Sequence, residues 1–214
     1  WDEYLANGAS LSAIRHGNGR DWWVLAGGMN AVALCKNESC FRFYVFLLSP
    51  EGLSLDHVEV ILPGYERNNS ITYVRPSVEG SMLTTVGVDM RDPDYKRYVH
   101  LYDFDRCDGT MSLREGEIDI GKDDLNIYGG IDVDYSASGR YLYVHNASTL
   151  MQYDLMGEEW WMTGDTVGVW SQAIDDNTEG VGRHSLFSWS SLAPDGKIYI
   201  SAAVDGSSYM HVIH

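Results

Sequence analysis

A short glycine turn recurs along this chain at nearly constant spacing. It lies in the segments RHGNGRDWWV (15–24), RPSVEGSMLTT (75–85), DYSASGRYLYV (134–144) and SLAPDGKIYIS (191–201). The four glycines, separated by 61, 59 and 57 residues, are Gly19, Gly80, Gly139 and Gly196. A polar residue followed by glycine is what a tight hairpin with positive φ requires. Because each unit of a repeat adopts the same local structure, this period of about 59 residues constrains the fold more than any single motif.

Each repeat is predicted to contain four antiparallel strands. After the turn comes an aromatic-rich strand, as in 41–52, 97–109, 149–159 and, truncated, from Ser208. A further alternating segment follows in 53–62, 110–120 and 158–169. No segment has the 3.6-residue apolar period of an amphipathic helix, and turn-forming residues recur at short intervals. The chain is therefore predicted to be all-β.

A four-stranded antiparallel unit repeated at this length is typical of a β-propeller blade. We expect a single propeller domain over 1–214, with approximate blades at 9–63, 70–120, 127–170 and, incomplete, 185–214. Three to four blades lie at the bottom of the usual range of about 4 to 8. The chain is expected to be part of a larger propeller, or else a small ring that WDEYLA at the N-terminus closes. A β-sandwich is the competing architecture, but it does not need the same turn at a fixed period.

The excess of acidic residues disfavours nucleic acid and anionic membranes as binding partners. The chain of 214 residues has 31 acidic and 15 basic residues, a formal net charge of −16. This field repels nucleic acid and anionic lipid. No window has the roughly 18 apolar residues of a membrane helix, so membrane insertion is not expected. The first residue is Trp1 rather than Met, so the lack of a signal peptide says nothing about the compartment.

Cysteines and acidic loops offer few candidate sites. Cys35 and Cys40 flank the tetrapeptide KNES, so a disulfide across a hairpin is predicted if the compartment is oxidising, and Cys107 is left over. A zinc site is not predicted, because no second Cys or His pair is present at ligand spacing. Calcium is the one cofactor considered, at 121–126 or 173–180, but both segments lack the calcium-loop spacing and solvated loops are the preferred interpretation.

The first turn departs from its repeats at two positions. His16 stands where the other units have Ser or Ala, and Asp21 stands where they have Met, Tyr or Ile. An acid on an apolar strand must be paired, exposed or functional. We predict that Asp21 pairs with Arg20, His16 or a backbone group, and the alternative is that His16, Arg20 and Asp21 bind a ligand. Trp22 and Trp23 are both predicted to pack in the core.

A second candidate for binding is EEWW at 158–161. Trp160 and Trp161 stand beside charge, where exposed rings would bind a glycan or a protein, but packing on an outer strand is the more common role of such residues. No nucleophile elbow, P-loop or dinucleotide fingerprint is present, and the seven histidines include no H-x-x-x-H pair on a helix. We therefore assign no catalytic residue and no metal ligand.

Six segments together carry a resemblance to a known family: RHGNGRDWWV, RFYVFLLSPEG, VHLYDFDRCDG, GIDVDYSASGRYLYV, LMQYDL and LAPDGKIYIS. They resemble large secreted proteins of Bacteroidetes with WD-repeat or lactonase-type propellers, often linked to type IX secretion and labelled gliding-motility-associated. The resemblance covers nearly the whole chain, and H-x-N-G-R-D-W-W at 16–23 is specific for the family rather than for an activity. It implies an extracellular or cell-surface location and further sequence on both sides.

Two functions follow from these observations. The first is a binding or scaffold module for protein or glycan at the cell surface, without catalysis, which also assembles through exposed blade edges. The alternative is a lactonase-like hydrolase that holds a divalent metal in a central channel through carboxylate, Asn and His side chains.

Overall fold

The computed structural model describes residues 11–30, 40–61, 69–89, 96–121, 131–169, 187–202 and 210–214. The chain divides into two compact units, Trp1–Lys122 and Asp123–His214, and each is described by itself. The described residues form sixteen β-strands and one short 3-10 helix. Among them there is no helix long and apolar enough to cross a lipid bilayer.

The first unit begins with a four-stranded antiparallel sheet in sequential order. Its strands are β1 (Leu11–Arg15), β2 (Trp22–Asn30), β3 (Cys40–Ser49) and β4 (Gly52–Ile61). Alternating and aromatic residues favour extended pairing here, and a β-bulge shifts the register between Val45 and Phe46. This is the first of the repeated sheets.

The second sheet of this unit has five strands. They are β5 (Asn69–Pro76), β6 (Met82–Asp89), β7 (Arg97–Phe104), β8 (Met111–Leu113) and β9 (Ile118–Gly121). Both β8 and β9 pair with β7. The single strand expected over 110–120 is thus broken in two. Gly116, at φ 104°, lies in the break, where few other residues adopt the backbone conformation.

A shared core holds these two sheets together. The first sheet contributes Ile14, Trp23, Leu25 and Val45, and the second contributes Val74, Leu83, Tyr102 and Phe104. All eight are buried. A hydrogen bond of 2.7 Å from the Ser12 hydroxyl to the carbonyl of Val74 joins β1 to β5. One face of the first sheet is therefore packed against the second sheet.

The second unit repeats the arrangement with smaller sheets. Its first sheet contains β10 (Asp132–Tyr135), β11 (Tyr141–His145), β12 (Thr149–Asp154) and β13 (Asp165–Val169), with a 3-10 helix (Trp160–Met162) between the last two. Its other sheet contains β14 (Phe187–Leu192), β15 (Ile198–Ala202) and β16 (Met210–Ile213). All of the pairings are antiparallel.

Apolar packing and one buried carboxylate join the two sheets of the second unit. Tyr143 and Leu150 pack with Phe187, Ile198 and Ile200. The side chain of Asp132, on β10, accepts hydrogen bonds of 2.9 Å from its neighbour Val133 N–H and from Ser190 N–H on β14. Asp132 is almost fully buried. The carboxylate thus accepts hydrogen bonds from two backbone N–H groups that would otherwise be buried without an acceptor, at a cost in free energy.

The predicted glycine turn is present in all four sheets, between the first and second strands. Gly19, Gly80, Gly139 and Gly196 have φ of 74°, 70°, 70° and 81°. In every copy the glycine N–H donates to the carbonyl three residues earlier, at 2.8 to 2.9 Å. The all-β class, the antiparallel pairing and these turns are confirmed. The four-strand count fails in the second sheet, which has five strands, whereas the three strands of the last sheet agree with the incomplete unit expected over 185–214.

Candidate functional site

The turn at 16–21 is organised by the side chain of Asn18. Its Oδ1 accepts hydrogen bonds from the backbone N–H groups of Arg20, at 2.9 Å, and Asp21, at 3.0 Å. Its Nδ2 donates to Oδ2 of Asp21 at 2.7 Å. Asn readily makes such bonds to the residues that follow it, which is why it favours turns. The loop is therefore fixed from within.

Asp21 pairs with Arg20, one of the three partners that the sequence left open. Nε of Arg20 donates to Oδ1 of Asp21 at 2.8 Å, and Nη2 donates to Oδ2 at 3.2 Å. Asp21 is buried, with 5% of its surface exposed. The hydrogen bond from Arg20, and then that from Asn18, hold the pKa of the Asp21 carboxyl below its usual value. The carboxylate is thus committed to the turn.

His16 also serves the turn. Its Nδ1 accepts a hydrogen bond of 2.9 Å from the N–H of Asn18, and its backbone N–H donates to the carbonyl of Asp21 at 2.9 Å. The imidazole stacks on the indole of Trp23, with ring centroids 4.9 Å apart and planes inclined by 22°. The structure brings His16, Arg20 and Asp21 together, and their contacts are with the turn itself and, for His16, with Trp23 on β2.

The two tryptophans that follow have opposite environments. Trp23 is buried in the core, as predicted, and its indole N–H donates to the carbonyl of Arg106 at 2.9 Å. Trp22 is 43% exposed, so the prediction that it packs in the core is wrong. Successive strand residues point to opposite faces, and only the face with Trp23 packs against the second sheet. Trp22 is therefore presented outward.

Arg106, in the turn between β7 and β8, forms hydrogen bonds with residues at the β1–β2 turn and the β5–β6 turn. Its Nε donates to the carbonyl of Arg15 at 2.8 Å, and its Nη1 donates to the carbonyl of Glu79 at 3.0 Å. Its own carbonyl accepts from the N–H of Gly17 at 2.7 Å, besides the indole of Trp23. The ends of β1, β5 and β7 are thus held at fixed positions.

A groove of about 370 Å³ opens beside this junction, which we call the Trp22 groove. Its walls include Arg15, Trp22, Pro76, Val78, Glu79 and Arg106. Trp22, Val78, Glu79 and Arg15 are all exposed, so the groove is open to solvent. An apolar surface with a few converging charged groups is the usual composition of a ligand site.

Sequence reasoning missed Glu79 and Arg106 as members of this groove. Both lie in turns of other strands, 64 and 91 residues after Arg15 in the sequence. The only sequence signal near Arg106 was the turn DRCDG at 105–109, which was considered because it contains Cys107.

Cys107 is an exposed free cysteine next to Arg106. A Cβ on Gly17 would come within 2.9 Å of its sulfur.

The tryptophans of EEWW lie in the second unit, in the 3-10 helix. Trp160 is 2% exposed, so it packs rather than binds, although it lies in this helix and not on an outer strand. Trp161 is partly exposed, and the two rings meet edge to face with centroids 6.1 Å apart. The hydroxyl of Thr163 donates to the carbonyl of Trp160 at 2.8 Å and stabilises this turn. Trp161 remains the residue available for the predicted contact.

Other predicted sites fall outside the described residues. Cys35 is not described, nor is the side chain of Cys40, so the disulfide remains a prediction. Residues 122–126 and 173–180, which cover the acidic loops considered for calcium, are also outside. Within the ranges that are described, no three His, Cys, Asp or Glu side chains form a group suited to a metal ion.

No protein-family model and no curated protein matches the chain. Matching solved structures include a puromycin-hydrolysing peptidase of Mycobacterium tuberculosis (12% identity, 92% of this chain and 28% of that chain, TM-score 0.42). A prolyl endopeptidase structure matches at 13% identity, over 98% of this chain and 30% of that chain, with a TM-score of 0.46. The extracellular domain of a putative hybrid two-component system of B. thetaiotaomicron matches at 9% identity, over 99% of this chain and 33% of that chain, with a TM-score of 0.31. The chain spans a third or less of each. At these identities and TM-scores, none of the three informs the function of this chain.

Proposed function

We propose that the chain is part of a β-propeller that acts as a non-enzymatic binding module at the cell surface, with the Trp22 groove as its ligand site. The observation that carries the binding role is the 43% exposure of Trp22 beside a groove of about 370 Å³. The ligand is a protein or a glycan. The cell-surface location rests on the sequence resemblance.

The propeller architecture is supported by the repetition of one turn. The same hydrogen bond from glycine N–H to the carbonyl three residues earlier closes the first hairpin of every sheet. Repetition of one supersecondary unit at a fixed period is what a propeller requires, whereas a β-sandwich does not require it.

The binding role is supported by the fixed backbone around the Trp22 groove. The Asn18 and Asp21 network fixes the turn that precedes Trp22, and Arg106 fixes the strand ends on the other side of the groove. Backbone that is fixed in advance loses little freedom when a ligand binds. Tryptophan and arginine are also the residues that most often dominate binding energy at interfaces.

The experiment compares three proteins on two defined probes, a glycan microarray and a phage-displayed library of random peptides. The proteins are the wild type, Trp22→Ala and the matched control Trp189→Ala, which removes an exposed tryptophan from the second unit. We expect ligands that bind the wild type and the control but lose at least about tenfold in affinity with Trp22→Ala. Ligands that bind Trp22→Ala equally well would overturn the assignment of the site, and so would a lack of ligands on both probes.

A further inference from the structure

We propose that the Trp22 groove binds a carboxylate-bearing sugar ring, such as a hexuronic acid unit of an acidic glycan. This inference rests on the proposed function and adds the chemical class of the ligand. It depends on the two arginines of the groove, on the acid that faces the same space, and on the apolar surface between them.

Both arginines keep donors available after their structural bonds are made. A guanidinium has five N–H groups. Arg15 uses Nε to donate to the carbonyl of Gly19 at 2.8 Å, and its two Nη groups have no partner among the described residues. Arg106 uses Nε and Nη1 for main-chain carbonyls, and in the same described part of the chain its Nη2 has no partner. The structural bonds fix the planes of both groups.

The local charge favours an anion even though the whole chain is acidic. The formal net charge is −16, but the groove contains two arginines and one carboxylate, Glu79. Exposed charges farther away than about 8 Å are largely screened at physiological ionic strength. Two of the three charged residues that line the groove are arginines, and guanidinium groups bind carboxylates through paired, charge-assisted hydrogen bonds.

The remaining surface suits a ring with hydroxyl groups. Trp22, Pro76 and Val78 provide an apolar wall for the C–H face of a sugar. An ionised Glu79 carboxylate accepts hydrogen bonds and donates none, so it pairs with groups that donate, such as sugar hydroxyls. A volume of about 370 Å³ is near the lower end for ligand sites and suits a small unit rather than a folded partner.

The test titrates the 214-residue chain with sodium D-glucuronate and with D-glucose, which differ at the carboxylate, and measures affinity by NMR chemical-shift changes. Variants are Arg15→Gln, Arg15→Lys and the control Arg140→Gln, which removes an exposed arginine of the second unit. We expect glucuronate to bind at least about tenfold more tightly than glucose. Arg15→Gln should abolish that difference, Arg15→Lys should restore part of it, and Arg140→Gln should leave it unchanged. Thermal melting verifies that each variant is folded.

Equal affinity for the two sugars, or no binding of glucuronate, would overturn the inference. N-acetyl-leucine, which has a carboxylate but no sugar ring, is a further probe, and binding as tight as that of glucuronate would overturn the sugar class. If the microarray or the peptide library gives neutral ligands that depend on Trp22, the proposed function stands and this inference fails. The two proposals therefore fail in distinguishable ways.

Discussion

The indole N–H of Trp23 donates a 2.9 Å hydrogen bond to the backbone carbonyl of Arg106, 83 residues farther along the chain. The same carbonyl accepts the N–H of Gly17 at 2.7 Å. The motif HGNGRDWW, which looks self-contained in sequence, is thus completed by a turn from another sheet. This junction places Trp22 at the edge of the groove.

Trp23→Phe should lower the free energy of unfolding by about 1–3 kcal/mol, because it removes one hydrogen bond and part of a buried ring. The carbonyl of Arg106 keeps its bond from Gly17, so no acceptor is left unpaired. Trp22→Phe, at the exposed neighbour, should change stability by no more than about 0.5 kcal/mol. Urea denaturation measures the free energy of unfolding of both variants. Equal losses would contradict the assignment of Trp23 to the core and of Trp22 to the surface.

Gly80→Ala should destabilise the protein more than Gly19→Ala or Gly139→Ala. All three glycines have φ near 70°, where an added Cβ costs about 1–2 kcal/mol. Only at Gly80 would that Cβ also lie 2.6 Å from Cγ2 of Ile14, whereas nothing is within 4 Å at the other two. Thermal unfolding of the three variants provides the ranking, and a Gly80→Ala protein as stable as the others would contradict this packing.

Asp21→Asn should reduce stability at neutral pH, and the reduction should shrink in acid. The folded-state pKa of Asp21 is lowered, first by Arg20 and then by Asn18. The stability that ionised Asp21 contributes is therefore fully present above the unfolded-state pKa of about 3.9, and it is lost as the pH falls through the folded-state pKa. We expect the difference in Tm between wild type and variant to be constant from about pH 5 to pH 8 and to decrease below about pH 4.

Arg20→Gln provides the control for that titration, since it removes the largest cause of the shift. The effects of Asp21→Asn and Arg20→Gln should not add in the double variant, because the two side chains form one interaction. Full additivity, or a Tm difference that does not vary with pH, would show that the ion pair does not stabilise the turn.

Asp132→Ala should destabilise the second unit by about 1–3 kcal/mol, since it leaves the N–H groups of Val133 and Ser190 without their acceptor in a buried position. Asp132→Asn should cost less, because its amide oxygen still accepts one of these bonds. Asp165→Ala, at an exposed strand position, is the control and should stay within about 0.5 kcal/mol. Thermal denaturation of the three variants tests this order.

The sequence by itself determined the repeated local structure. The four turns need glycine at positive φ, and the strands need alternating apolar residues. Both requirements involve only residues close together in the sequence, so the period of about 59 residues was sufficient to predict the turns and the strands. That Asp21 has a local partner was also predictable, because an acid on an otherwise apolar strand requires one, but the choice of Arg20 among the three candidates was not.

Only the tertiary structure decided which of these residues are available to a ligand. Alternation predicts that Trp22 and Trp23 point to opposite faces, but it does not tell which face a neighbouring sheet covers. The burial of Trp160 and the positions of Arg106 and Glu79 depend likewise on chain segments that meet only after folding. A groove built from turns up to 91 residues apart has no local signature, because burial and proximity are properties of packing rather than of sequence order.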